Sequence, residues 1–401
     1  MYAYVNVPFY KRRFDSSGII PEDIKTTEDL LKIPCLTKND IQKNLNELVI
    51  RSSASIALIK DSTGGSTGQP LIFYYTKSMN ERREAARIRH NRWCGWDIGQ
   101  KTGVLWGALE TPDKKSRMRK RIRNRFINRS CLLNAYDINE EQLYQFALKM
   151  QAFKPTMILA YTHVLYLFAK YLERHNFDIR PKGLICSAET LTQDKRRVIE
   201  SVFKCKLLNR YGSREVGLIA SECQEQSGLH INAENVYLEI VKEGRHVRSG
   251  EIGEVIVTDL FNYAMPLIRY KIADVARASD RICSCGRGLP MIGSVEGRTT
   301  DFIITSEGKL IASAYFTRLF YSENGVKQFQ LIQEKKNKIV IKIVKSDSFS
   351  LDRMQEIRKK ILSHIASTNE MIIDIEYVDR IQKFSSGKYR YVISNVKNPF
   401  T

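Results

Sequence analysis

No stretch of this chain is an uninterrupted apolar run of membrane length. The nearest, Thr156–Leu172, is broken by His163 and Lys170 and reads as a buried helix. The opening residues M-Y-A-Y-V-N-V-P-F-Y-K-R-R lack a basic-then-apolar signal segment, so the expected compartment is the cytoplasm. Its eight cysteines would stay reduced there, as packing groups or metal ligands. Internal repeats and low-complexity linkers are missing as well, which excludes solenoids and extended tails. Acidic residues are in deficit, 44 against 64 Lys and Arg, for a formal charge of +20. That surplus invites a nucleic-acid reading, but no zinc-finger, RRM-type or KH-type signature accompanies it, so no specific nucleic-acid partner is expected. One basic run is dense, Lys114–Arg129, and in it Met118, Ile122 and Phe126 recur at helical spacing. Two readings stay open for it: a solvated helix edge, or contact with an anionic membrane face or polyanion.

At 401 residues the chain is long enough for a large core and a second domain. Short helices are expected up to residue 50, opened at Pro21 and after Thr27. Ser78 and Glu81 have capping-box spacing for a helix Met79–Trp93. Gly103–Gly107, Gly183–Ser187 and Leu207–Tyr211 read as strands; Glu140–Ala152, Thr162–Asn176 and Gln193–Phe203 read as helices. This alternation predicts an α/β sheet, partly parallel. From about 230 to 297 the pattern turns to alternating strands, Val236–Val241 and Glu254–Thr258, as in a small β subdomain. After Arg298 come Lys338–Val344, an amphipathic helix Asp352–Ile365 with Met354, Ile357, Ile361 and Ile365 on one face, and a last strand Met371–Val378. Two domains are expected, 1–298 and 299–401.

Asp61–Pro70, D-S-T-G-G-S-T-G-Q-P, is the organising stretch. Gly64, Gly65 and Gly68 alternate with the hydroxyls of Ser62, Thr63, Ser66 and Thr67. Glycines let backbone approach a ligand closely, and successive N–H groups in such turns form an anion-binding nest. With strands expected on both sides and no Lys after Gly68, it is a β–β connector and no Walker A loop. The expected guest is a polyphosphate; a solvated turn is the bland alternative.

Four further stretches follow in order: Tyr211-Gly212-Ser213-Arg214-Glu215; Pro266-Leu267-Ile268-Arg269-Tyr270 with Asp274; Gly297-Arg298-Thr299-Thr300-Asp301; and Ser386-Gly387-Lys388. With the glycine loop, their order and spacing over nearly the whole chain resemble the adenylate-forming (AMP-binding) superfamily, most closely the phenylacetate–CoA ligase-like branch with its capsule-biosynthesis homologues. The resemblance implies a large multi-sheet α/β N-terminal domain of the acyl-adenylate-forming type and a small mobile α+β C-terminal lid that pivots near Thr300–Asp301. It implies ATP and AMP as nucleotides, with the glycine loop on the outer phosphates and Glu215 on Mg²⁺, a hard cation suited to carboxylate oxygen. It places Ser187-Ala188-Glu189, Tyr211, Gly212 and Ser213 around adenine, Asp274 on the ribose hydroxyls, Arg298 on ribose or phosphate, and Lys388 on the α-phosphate. The sequence departs from the family in three places: Leu71 stands where many members carry a lysine after the loop proline, Ala273 replaces the glycine before the ribose aspartate, and the hinge pair is Thr300-Asp301.

Cys223, His230, Cys283 and Cys285, spaced C-x₆-H…C-x-C, supply the donor set of a closed structural Zn²⁺ site, and the same family branch carries a similar arrangement. Four separately packed residues are the alternative. Cys35, Cys94, Cys131, Cys186 and Cys205 sit among apolar residues and read as core.

The expected function is ATP-dependent activation of a small carboxylic acid to an acyl-adenylate, then acyl transfer to an acceptor. Coenzyme A is the default acceptor. A sugar or glycan precursor of surface polysaccharide is the alternative, and a basic binding module without catalysis a second one. Trp93, Tyr161, Ser187 and Tyr211 are expected near the walls of the acid pocket.

Overall fold

The computed structural model describes residues 1–50, 57–63, 71–107, 124, 127, 129–135, 139–298, 302–305, 310–321, 325–365, 371–382 and 390–396. The chain falls into two compact units, Met1–Ile272 with Arg277–Ser294, and Ala273–Ala276 with Val295–Thr401.

The first unit opens with α1 (Tyr2–Asn6), α2 (Pro8–Ser16), the 3₁₀ turns Pro21–Asp23 and Glu28–Lys32, α3 (Lys38–Lys43) and α4 (Leu45–Leu48). This preamble is fastened to a distant part of the unit. The Tyr10 hydroxyl donates to the Pro266 carbonyl at 2.8 Å and accepts from the Ile268 N–H at 3.0 Å. Buried Arg269 pairs with fully buried Glu239 at 3.0 Å and donates to the carbonyls of Leu31 and Ile33. Arg269 has φ +50°, a left-handed conformation that a non-glycine residue keeps only where its surroundings hold it.

The strands β1 (Leu58–Ser62) and β2 (Ile72–Thr76) form an antiparallel pair, Leu58 opposite Thr76 and Ser62 opposite Ile72. The helix α5 (Lys77–Trp93) follows directly. Its cap is Thr76, whose hydroxyl accepts the Met79 N–H at 3.2 Å, so the capping box expected at Ser78 and Glu81 does not form. Both hydroxyl residues precede an apolar Met; the helix starts two residues earlier because β2 ends at Thr76 with extended φ and ψ.

Next come β3 (Thr102–Trp106), β4 (Ser130–Asn134), α6 (Glu140–Phe153), β5 (Met157–Tyr161), α7 (Thr162–Arg174), β6 (Gly183–Ser187), α8 (Gln193–Phe203) and β7 (Leu207–Ser213). The run β8 (Gly217–Glu222), β9 (Leu229–Ile231), β10 (Val236–Lys242), β11 (Arg245–His246), β12 (Ile252–Asp259), β13 (Tyr270–Ala278) and β14 (Met291–Arg298) is all strand. These join one twelve-stranded sheet, in the order β11-β10-β12-β13-β14-β9-β8-β7-β6-β5-β3-β4. The segment expected as a small β subdomain therefore extends the main sheet. Strands β4, β3, β5, β6 and β7 are mutually parallel, as the helical crossovers require. From β7 to β8 to β9 the pairing is antiparallel. Parallel strands buried on both faces read as continuous apolar runs, and β6, G-L-I-C-S, is buried at every position. Leu105, Phe146, Ile158, Leu165, Phe168 and Leu184 form the core between this sheet and α6–α8.

The second unit contains β15 (Phe302–Ile304), β16 (Leu310–Ala312), α9 (Ser313–Tyr321), β17 (Val326–Lys335), β18 (Lys338–Lys345), α10 (Leu351–Ile365), β19 (Ile372–Tyr377) and β20 (Val392–Ser394). A four-stranded sheet, β19-β18-β17-β20, packs Leu331, Ile341 and Ile343 against Met354, Ile357, Ile361 and Ile365 of α10. That is the helix stripe the sequence spacing predicts. The strand expected last is β19; β20 follows it and pairs parallel with β17. Fully buried Gln333 works as a piece of backbone here: its amide accepts from the Ile304 N–H at 2.9 Å and donates to the Ile304 carbonyl at 2.8 Å. Among the described residues, no helix is long and apolar enough to cross a membrane.

Candidate active site

In open α/β sheets ligands sit beyond the carboxyl ends of the strands, where the strand order reverses. Here β3 lies between β4 and β5, so the chain leaves β3 in one direction and returns on its other side. At the carboxyl ends of β3 and β5 the rings of Trp106 and Tyr161 pack with centroids 4.1 Å apart. Trp106 is a site candidate that the sequence reading did not name; its place at the end of a β3 pattern was the available signal. Trp93, expected near the acid pocket, packs its ring edge-on against His90 and His230.

The stem of the glycine loop is closed by two hydrogen bonds. The Thr63 N–H donates to the Leu71 carbonyl at 2.9 Å, and the Leu71 N–H donates to the Thr63 hydroxyl at 2.9 Å. Ser62 ends β1. Gly64, Gly65, Ser66, Thr67 and Gly68 lie outside the described residues, as do Thr299, Thr300, Asp301, Lys388 and most of Lys114–Arg129.

Tyr211-Gly212-Ser213 ends β7, and Arg214 and Glu215 lie in the turn that leads to β8. A bulge falls between Tyr211 and Gly212, and a Cβ at Gly212 would stand 2.4 Å from the Gly217 carbonyl oxygen, so glycine is required there. The Ser213 hydroxyl accepts the Val216 N–H at 3.2 Å and closes the turn. From α5, Arg83 donates to the backbone carbonyls of Arg214 and Glu215 and stacks over the Tyr75 ring. The Tyr270 hydroxyl donates to the Glu215 carboxylate at 3.2 Å. The Glu215 carboxylate is thus oriented by a neutral donor, a state suited to taking a hard cation. Tyr211 is buried at the end of the parallel strands.

Ser187-Ala188-Glu189 follows β6. The Ser187 hydroxyl donates to the Arg210 carbonyl at 2.8 Å, so it braces β7. Ala188 has φ +73°. Glu189 accepts the His163 N–H at 2.7 Å and so satisfies the first turn of α7. Ser187 and Glu189, both expected around adenine, therefore have structural bonds of their own.

Behind β7 lies a buried polar cluster. Arg210 Nε donates to His90 Nδ1 at 2.9 Å, and His90 Nε2 donates to the Glu222 carbonyl at 3.0 Å. Burial first, then the charge of Arg210, hold His90 well below the usual histidine range, so the ring is neutral. Both oxygens of the Glu222 carboxylate accept from one Arg196 nitrogen, at 2.9 and 2.8 Å. Nearby, Lys195 is buried in the first turn of α8, and burial brings its pKa down to about 8 against the opposing pull of Glu189.

In the second unit, Asp274 and Arg298 meet, with Oδ1 and Nε 3.5 Å apart. The expected ribose ligand and the expected nucleotide arginine are therefore neighbours across β13 and β14.

Cys223, His230, Cys283 and Cys285 converge, with all four ligand atoms within 4.8 Å of one another. Cys223 and Cys283 sulfurs are 3.6 Å apart, and Cys285 Sγ lies 3.4 Å from His230 Nε2. Zinc bonds of about 2.3 Å to sulfur and about 2.0 Å to nitrogen, set tetrahedrally, require ligand separations of about 3.5–3.8 Å. The donor set fits that ion. Burial lowers the His230 pKa and favours the neutral, ligating ring. Burial also acts to raise Cys285, but hydrogen bonds from Arg287 and the neighbouring thiols outweigh it and bring that thiol to about 7.

Comparison with known proteins agrees with this architecture. The CapK C-terminal domain family matches residues 303–395. Protein CapK of Staphylococcus aureus is 28% identical over 99% of this chain and 87% of its own length. The phenylacetate–coenzyme A ligase of Escherichia coli strain K12 is 27% identical over 96% of this chain and 90% of its own. Among solved structures, 2-hydroxyisobutyryl-CoA ligase in the postadenylation state superposes with a TM-score of 0.76, covering 98% of this chain and 86% of that one at 18% identity. ATP-bound MatB from Rhodopseudomonas palustris reaches 0.59, over 86% of this chain and 68% of its own. The fold is that of the acyl-adenylate-forming enzymes. The chain's homologues include CapK and the phenylacetate–CoA ligases, which is consistent with the phenylacetate–CoA ligase-like branch and supports an enzyme of the ligase type.

Proposed function

We propose that the protein uses ATP to activate a carboxylic acid as its acyl-adenylate and then passes the acyl group to an acceptor. The observation that carries this reading is the Glu215 carboxylate, held at the carboxyl end of the parallel strands by the Tyr270 hydroxyl at 3.2 Å beside the stem of the glycine loop. Attack of a carboxylate on the α-phosphorus brings two anions together, so the site must neutralise charge and hold the pair in line. Glu215 would hold Mg²⁺, which when bound shields the phosphate oxygens from the incoming carboxylate. The stem residues Ser62 and Thr63, with Gly64–Gly68 beyond them, would grip the outer phosphates. Tyr211 would stack on adenine, with Gly212 allowing the tight turn that follows it. Asp274 would accept from both ribose hydroxyls, since one carboxylate has two acceptor oxygens, and Arg298 beside it would steady that carboxylate or meet phosphate. Lys388 would supply an ammonium to the α-phosphate and the substrate carboxylate, and residues 299–401 would act as the lid that carries it. Cys223, His230, Cys283 and Cys285 would hold Zn²⁺ as a structural ion with no position left open for substrate.

Coenzyme A is the proposed acceptor, in line with the ligases among the homologues. A second reading, implied by the resemblance to capsule-biosynthesis homologues, is transfer to a sugar or glycan precursor. Acid-dependent exchange of pyrophosphate into ATP, measured over a panel of acids without any acceptor, tests the first half-reaction. Lys388→Ala lowers that exchange by about 10²–10³-fold; exchange at the wild-type rate in this variant would remove the lysine from the mechanism. ATP binding without exchange for any acid would favour a binding module.

A further inference from the structure

Resting on the adenylation reading, we propose that Arg83 is a positioning residue for the metal carboxylate: it fixes the turn that carries Glu215, so that this side chain meets Mg²⁺ already aimed. Glu215 lies in the short turn between β7 and β8, and a carboxylate is placed no better than the backbone beneath it. Two contacts act on this residue. The Tyr270 hydroxyl reaches the carboxylate at 3.2 Å, and the Arg83 guanidinium holds the main chain by donating to the carbonyls of Arg214 and Glu215. These constraints come from different elements, β13 and α5, and converge on one side chain.

Arg83 is itself closely fitted. Its guanidinium lies over the Tyr75 ring, 4.8 Å from the centroid. The chain after the turn closes over its aliphatic stem: at Gly217, with φ +89°, a Cβ would stand 2.9 Å from Arg83 Cγ and 3.1 Å from Cδ. Glycine there leaves the stem its place and permits the left-handed backbone. The residue is half-buried, and its Nε is buried with no hydrogen-bond partner among the described residues. Of the charges acting on it, that of Asp259 is the strongest. Asp259 is buried as well: one carboxylate oxygen accepts the Phe261 and Asn262 N–H groups at 3.0 Å, and the other has no partner among the described residues. In such partly desolvated surroundings, bonds from a guanidinium to carbonyls are stronger than they would be in water, and they hold the turn in one shape.

Calorimetric titration of the full-length protein with ATP, once with Mg²⁺ and once with EDTA, separates metal-dependent from metal-free binding. Arg83→Met keeps the stem against Gly217 and Tyr75 and removes the donors. It is expected to weaken ATP about tenfold with Mg²⁺ and by less than about twofold in EDTA, where Glu215 has no ion to hold. Arg83→Lys, which keeps the charge without the fork, falls between. With the metal carboxylate removed by Glu215→Gln, adding Arg83→Met is expected to change either affinity by less than about twofold. Equal losses with and without Mg²⁺, no loss in either, or a tenfold loss that persists alongside Glu215→Gln would overturn the assignment and leave Arg83 a brace of the fold. Wild-type protein that binds ATP in neither condition would overturn the adenylation reading itself. If circular dichroism shows Arg83→Met unfolded, Arg83→Lys decides: its ratio of the two affinities must fall below that of the wild type, and an unchanged ratio sinks the proposal.

Discussion

Taking an ammonium out of water is costly, and Lys195 is 2% exposed. Burial lowers its pKa from 10.5 to about 8, because the interior disfavours the ammonium. The linkage sign follows: between about 8 and 10.5 the unfolded chain holds a proton that the folded chain has lost, so stability rises with pH across that window. Below about 8 the full penalty remains. Lys195→Met is therefore expected to raise the melting temperature by several degrees at pH 7, with the gain shrinking as pH rises from 8 to 10. A gain that does not change with pH would show that packing, and not the charge, is responsible. Arg269 is buried as well, with Glu239 and two carbonyls around its guanidinium, so removing it would strand the Glu239 charge.

At the scale of elements, the Cys/His cluster ties the loop after β8 to the loop before β14, and Trp93 of α5 packs against it with His230 at 5.6 Å and Arg287 at 4.6 Å from its ring. Protein purified without chelator is expected to carry about one equivalent of zinc by elemental analysis. Cys283→Ser should lose that zinc and melt at a clearly lower temperature, since structural zinc contributes directly to folding free energy. Full zinc occupancy in the variant would exclude the site. Much of this level was legible beforehand. The C-x₆-H…C-x-C spacing marked four side chains that converge, Met354, Ile357, Ile361 and Ile365 marked the buried stripe of α10, and the glycines at 64, 65 and 68 marked a connector between two strands. What sequence could not show was the partner of each polar group. Ser78 and Thr76 are equally good caps on paper, and only where β2 ends decides between them. Ser187 and Glu189 look like ligand contacts in isolation; their hydrogen bonds to Arg210 and His163 come from residues 23 and 26 positions away. Trp106 entered the site only once β3 and β5 were side by side.

For the whole molecule, the two units have separate cores. Phe146, Ile158 and Phe168 belong to one, and Phe329, Ile341 and Met354 to the other. Each is expected to unfold as its own cooperative step, giving a calorimetric enthalpy larger than the van't Hoff value. Ile341→Ala, a truncation at a fully buried position, should shift the step of residues 299–401 by about 2–4 kcal/mol and leave the other in place. One coincident transition that moves as a whole would mean the units fold as a single body. The positive charge of +20 belongs to this scale too, and favours acids and phosphorylated substrates by long-range attraction that added salt weakens.

Arg269 also sets how the polypeptide can be cut. Because carbonyls of Leu31 and Ile33 complete its shell, the opening segment is a fitted plug for a cationic socket, closed further by Tyr10 on Pro266. A shortened gene beginning after Ile33 would leave that socket open to water beside the strand bearing Tyr270, and with it the hydroxyl on which Glu215 depends.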